Sequence, residues 1–197
     1  MTDEFGGVFT KEIPLDRLYD LIGKARVEDA AVDWVSTPII DRCVKFAKAS
    51  NKYKALIYVP AQNHDIWLFD EKVEGVAFPA LLFGFVISDT VIVTRKVVAV
   101  KDFVLTEETE LFHYPYSNVY EDAKACWDGL PNITEARQLA TMPELFFGSP
   151  DTMHLGARNT SGLGYRELLV ANQFKPFPSG ILMARKETLH SFWESLN

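Results

Sequence analysis

Asn118 and Cys126 stand eight residues apart in Tyr114-Pro115-Tyr116-Ser117-Asn118-Val119-Tyr120-Glu121-Asp122-Ala123-Lys124-Ala125-Cys126-Trp127-Asp128-Gly129, a polar, turn-rich segment. A cysteine sulfur can hold an acyl group and yield it to a second nucleophile. Attack on such a thioester builds a tetrahedral oxyanion, and removing one donor aimed at it typically costs about 2.7–4 kcal/mol. The Asn118 amide is the candidate donor, or else a brace of its own turn. Glu121, Asp122 and Asp128 flank Cys126, with Lys124 alone opposing them nearby, and such a field does not favour a thiolate. That suits a thiol whose acyl group arrives already activated. Asp128, foremost among the acids, is placed to orient or deprotonate an acceptor amine. Taken by itself, a cysteine is more often a small buried hydrophobe.

His113 and His154 are the further candidates for acid–base work; His64 and His190 are assigned none. Cys43 falls among apolar residues and reads as core. The two cysteines have neither a disulfide framework nor metal-ligand spacing, so no metal is expected. Trp127 is expected to pack beneath the cysteine loop. Gly162-Leu163-Gly164 lacks the strand-to-helix context of a phosphate loop.

The elements that must position these residues change character along the chain. Leu15, Leu18, Tyr19 and Ile22 recur at helical spacing between Pro14 and Gly23, predicting a helix there. A second helix is expected after Thr37, with Ile40, Cys43, Val44 and Ala47 on its apolar face and Ser50-Asn51 at its end. Strands are predicted over 54–59, 64–69, 80–87 and 90–100, joined by short turns as an antiparallel meander. The last two are so continuously apolar that cover on both faces is expected. Between 101 and 131 no strong periodicity survives, and a loop of that length in a compact domain is often functional. Helices are expected over 135–147, interrupted by Pro143, and over 186–196, with Leu189, Phe192 and Trp193 on one side.

The 197 residues are 48% hydrophobic and 24% charged, a globular composition. Twenty basic against 27 acidic residues give a net charge of −7, which argues against nucleic acid or an anionic membrane as the main partner. The start, MTDEFGGVF, has no charged-then-apolar leader, and the longest apolar run, 76–87, carries Pro79 and Gly84. A cytoplasmic protein of one domain is expected. Within residues 1–197 it would comprise an N-terminal helical elaboration (1–53), a core with the active loop (54–154) and a C-terminal extension (155–197).

The segment from Asn118-Val119 through an acidic turn to Cys126 resembles the active-site signature of ubiquitin-conjugating enzymes, where His-Pro-Asn-(Ile/Val) leads to the thioester cysteine. It is most similar to the prokaryotic branch called family D, the PRTRC system protein B-like group. The likeness rests on Tyr114-Pro115-Tyr116-Ser117-Asn118-Val119, on Phe146-Phe147-Gly148-Ser149 followed by His154, and on Tyr58-Val59-Pro60-Ala61, Ile66-Trp67-Leu68-Phe69 and Phe78-Pro79-Ala80-Leu81. It covers roughly 54–154. Two departures stand out. Tyr116 and Ser117 replace the His and Pro of the eukaryotic triplet, and Ala123 replaces the usual turn glycine, so a left-handed backbone there would be strained.

The resemblance implies an α+β ubiquitin-conjugating-like fold, a four-stranded antiparallel meander with helices at both ends. It implies an acyltransferase in which Cys126 takes the C-terminus of a ubiquitin-like protein from a ThiF-like adenylating activating enzyme and passes it to an amine or other nucleophile. Asn118 would stabilise the oxyanion, with Tyr116, Asp128 and His154 as supporting residues. ATP would be consumed by the activating partner, so no cofactor is implied for this chain. A JAB-type or other deconjugating peptidase is an implied neighbour, and antiphage defence an implied setting. Two rival readings stand beside it: a non-catalytic module that binds ubiquitin-like proteins, and a cysteine hydrolase pairing Cys126 with His154 or His113.

Overall fold

The computed structural model describes residues 40–101 and 104–197. Among them the strands are β1 Cys43–Ala49, β2 Lys52–Val59, β3 Gln62–Leu68, β4 Glu71–Phe78, β5 Ala80–Ser88, β6 Val91–Val100, β7 Glu110–Phe112 and β8 Ala184–Thr188. The α-helices are short: α1 Met142–Phe147, α2 Tyr165–Ala171 and α3 Leu189–Glu194. One six-stranded sheet has the order β1-β2-β5-β6-β7-β8, and β3-β4 form a separate two-stranded sheet. The named strand pairs are antiparallel. The α+β class follows from this, with sheet predominating over helix. No helix among the described residues is long and apolar enough to cross a membrane.

The centre of the molecule is explained by β5. Its apolar run splits by strand alternation: Leu81, Phe83, Phe85 and Ile87 enter one hydrophobic cluster, and Ala80, Leu82 and Val86 enter another. The first cluster is roofed by Trp127, Leu139, Met142, Phe146 and Phe147. The second is closed by Leu189, Phe192, Trp193 and Leu196. The expected cover on both faces is therefore present. Gly84 makes the second face close-packed, since a Cβ there would lie 2.9 Å from the Leu196 side chain.

Several expectations change. The helix expected after Thr37 is β1, paired with β2 from Cys43↔Ile57 to Ala49↔Lys52. Four small apolar residues at helical spacing are a weak signal, and here pairing with the edge of β2 decides the conformation. The expected helix over 14–23 lies outside the described residues. Of the four strands expected as one meander, the 64–69 strand leaves the main sheet. It pairs instead with β4, a strand whose pattern is interrupted at Gly75. That glycine has φ 62°, a conformation that favours glycine, and a Cβ on it would stand 2.4 Å from the exposed Phe174 ring, which would have to move aside. Pro143 divides the expected 135–147 helix into a 3-10 turn, Ala136–Thr141, and α1. The expected C-terminal helix begins as β8 and becomes helical only at Leu189, with Leu189, Phe192 and Trp193 buried as anticipated.

Candidate active site

Two loops meet at Cys126, and each hangs on a different sheet. The cysteine loop lies along the length of β6 that β7 leaves open. Val97 N–H donates to the Ala123 carbonyl (2.8 Å) and Ala125 N–H to the Arg95 carbonyl (3.0 Å). The turn closes on itself through Tyr120 N–H to Lys124 O (2.8 Å) and Cys126 N–H to Asn118 O (2.8 Å). Lys124 N–H also donates to the Asp122 carboxylate at 3.0 Å. Ala123, which stands where the family usually has glycine, has a left-handed backbone at φ 71°, a conformation strained for an L-residue. Ala123 and Ala125 enter opposite hydrophobic clusters. In a regular strand residues two apart share a face, so the left-handed residue accounts for the switch.

The histidine loop, 149–160, is carried by β3: Asp151 N–H donates to the Trp67 carbonyl (2.7 Å) and Phe69 N–H to the Asp151 carbonyl (3.3 Å). Side chains then tie the loops together. Asn118 Nδ2 donates to the Pro150 carbonyl (3.0 Å), Arg158 Nη1 to Val119 O (3.1 Å) and Asn159 Nδ2 to Pro115 O (3.1 Å). From β8, Arg185 Nη1 donates to Glu121 O at 2.8 Å. Beneath them the Tyr165 hydroxyl, carried by α2, accepts from Ser117 N–H (3.4 Å) and donates to the Asp151 carboxylate. Burial holds the Asp151 carboxyl above its ordinary range despite that bond, and likewise pushes the Tyr165 phenol up.

Cys126 is half-buried. Two side chains lie within hydrogen-bond distance of its sulfur: Tyr120 Oη at 3.8 Å and His154 Nε2 at 3.7 Å. The other ring nitrogen of His154 is hydrogen-bonded to Thr152 Oγ1. Tyr120 is 41% exposed, and its phenol is held above the usual value by the bond to Cys126, with the charge of Asp128 contributing. Asp128 itself is exposed.

The residues singled out from sequence thus divide. Cys126 and His154 are in contact. Asn118 is buried with φ 67°, a conformation asparagine tolerates better than most residues, and one of its amide hydrogens is given to Pro150. Tyr116 lies in the core, its hydroxyl donating to Ala77 O (2.5 Å) and accepting from Asn172 Nδ2 (3.3 Å). Burial raises the Tyr116 phenol far above its usual range. His113 faces Arg185 instead, Nδ1 to Nη1 at 3.3 Å. Burial first, then Arg185 and Arg158, lower its pKa. Trp127 is packed against Phe146 as expected, ring centroids 5.8 Å apart.

Tyr120, Thr152, Asp151 and Tyr165 were not singled out from sequence. Tyr120 had a legible signal, a hydroxyl within the Asn-to-Cys turn. Thr152 stands two residues before His154. The Asp151–Tyr165 pair spans two distant segments and left no local trace.

A protein-family model described as prokaryotic E2 family D matches residues 19–184. No curated protein and no solved structure matches the chain.

Proposed function

Since the chain belongs to prokaryotic E2 family D, we propose that it carries a ubiquitin-like protein as a thioester on Cys126 and transfers it to an amine or other nucleophile. The observation that carries this reading is the family match over the segment that holds a half-buried cysteine at the meeting of two braced loops. The acyl group would arrive from an adenylating, ThiF-like activating enzyme by exchange between thiols, the new S–C bond forming as the old one breaks. Asn118 has a second amide hydrogen for the oxyanion, and its bond to Pro150 holds the side chain in place. Asp128, an exposed carboxylate two residues after the cysteine whose charge is felt at Tyr120, would orient a cationic acceptor. A JAB-type or other peptidase would reverse the conjugation.

The test is a charging assay with the activating enzyme and ubiquitin-like protein encoded beside this chain, plus ATP, read on non-reducing gels and by intact mass. A wild-type adduct removed by thiol reductant and absent in Cys126→Ala is the expected result. No adduct, while the activating enzyme itself charges, would sink the reading and leave a non-catalytic binding module.

A second reading, a cysteine hydrolase, is favoured by one observation, the imidazole 3.7 Å from the sulfur. It requires a thiolate that alkylates quickly near pH 6, about two and a half units below an ordinary cysteine pKa.

A further inference from the structure

The side chains that touch the sulfur of Cys126 among the described residues are a phenol and an imidazole, and neither is a carboxylate. That choice bears on what can take the acyl group. A neutral amine attacks a thioester unaided and sheds its proton afterwards, so orientation by a nearby carboxylate is sufficient help. A hydroxyl is a poor nucleophile until a base removes its proton as the new bond forms. Imidazole is the side chain best suited to that task near neutral pH, and it is held where the reaction would occur. Resting on the carrier reading above, we infer that the acceptors of this protein include hydroxyl groups, with His154 the general base that activates them.

The geometry orders the protons. With Nδ1–H donated to Thr152 Oγ1, the lone pair of His154 Nε2 faces the sulfur to which the acyl carbon would be bonded. The acceptor oxygen bonds to that carbon while its proton passes to Nε2. The tetrahedral oxyanion then collapses, the C–S bond breaks, and the departing Cys126 sulfur takes the proton back from Nε2–H. The products are an oxyester and the free thiol, with no proton gained or lost. Thr152 is a positioning residue in this scheme, because it acts through the imidazole. Tyr120 Oη, on the same sulfur, is a second donor to the departing thiolate.

The experiment uses the full chain charged by exchange with the mercaptoethanesulfonate thioester of acetyl-Gly-Gly, desalted, and checked by intact mass for one adduct on Cys126. The charged protein is then mixed with N-acetylserine methyl ester or with Nα-acetyllysine methyl ester, and the products are followed by mass. Wild type is expected to form the serine ester about a hundredfold faster than His154→Gln, and the ratio of serine ester to lysine amide formed is expected to fall by at least about thirtyfold in the variant. Thr152→Val should lower the same ratio by a smaller factor. His154 and Thr152 are exposed, so both variants should fold, and equal melting temperatures check that they do. A serine rate equal in wild type and His154→Gln, lysine transfer alone, or hydrolysis outrunning ester formation would each overturn the inference while leaving the carrier reading standing. Failure to form any Cys126 adduct would overturn both.

Discussion

The cysteine loop and the histidine loop are both hung on a strand by backbone hydrogen bonds, but they differ in how much of each is buried. The first is laid along β6 by backbone hydrogen bonds, and Val119, Ala123, Ala125 and Trp127 are buried beneath it. The second is exposed at Thr152, Met153 and His154. It is kept in place by Asp151 on β3 and by Asn118, Arg158 and Asn159, which reach between loops. Buried neighbours on both sides place the thiol firmly, while the imidazole stands on an exposed stretch just beyond the paired Asp151 and is held by Thr152. A site of this kind fixes the atom that carries the acyl group and leaves the base on the more easily perturbed element.

Changes at the brace shared by both loops should have the largest effects. Asn118→Ala leaves the Pro150 carbonyl without its donor and puts alanine at φ 67°, a loss of about 1–3 kcal/mol of stability. If the second amide hydrogen also serves the oxyanion, discharge of the charged protein falls by about a hundredfold or more. Urea denaturation and single-turnover discharge, measured on the same variant, separate the two. Lost stability with unchanged discharge would reduce Asn118 to a brace.

Tyr165→Phe comes next. It removes a donor from the buried Asp151 carboxylate and an acceptor from Ser117 N–H, costing about 1–3 kcal/mol. Because Asp151 anchors the histidine loop, charging of Cys126 should be kept while discharge to a hydroxyl acceptor slows. A variant that loses charging and discharge equally would show that the two loops respond as one unit and would break the comparison.

Ala123→Gly tests the strained point of the cysteine loop. A left-handed backbone costs an L-residue about 1–2 kcal/mol, and glycine forfeits the buried methyl and some chain entropy. The net expectation is a gain of up to about 1 kcal/mol, read as a higher urea midpoint. A clear loss would mean that the methyl in the second hydrophobic cluster outweighs the strain.

The smallest effect concerns acidity and the histidine-loop side alone. His64, on β3, stacks on Phe147 with centroids 3.8 Å apart, and burial lowers its pKa below 6.5, partly opposed by the charge of Glu144. The folded protein therefore binds this proton less readily than the unfolded chain. Stability from His64 is complete above pH 6.5 and is lost as pH falls through the lowered folded value. Thermal melts of wild type and His64→Gln should converge as pH falls below 6.5, and parallel curves would exclude His64 as the source.

Much of the fold was legible because its signals are local. The apolar continuity of β5 and β6, Pro143 as a break, and the buried face of Leu189, Phe192 and Trp193 each follow from neighbours in sequence. The left-handed backbone at Ala123 is different: the sequence shows an alanine where the related motif has glycine, and only the structure shows φ 71° there. Signals that depend on a distant partner were lost. The segment around Cys43 is a strand because β2 offers an edge, and β4 is a strand in spite of Gly75 because Phe174 covers that glycine.

The same division runs through the candidate site. Cys126 and Asn118 could be picked out within one turn of chain, from residue types and spacing. Their surroundings were settled only by folding: His154 reaches the sulfur because β3 holds the Asp151 segment, and Asn118 reaches Pro150 because the loop is pinned on β6. A sequence fixes which groups are available and what its own turns can do. Distances between groups 28 residues apart are set by the packing of the elements that carry them.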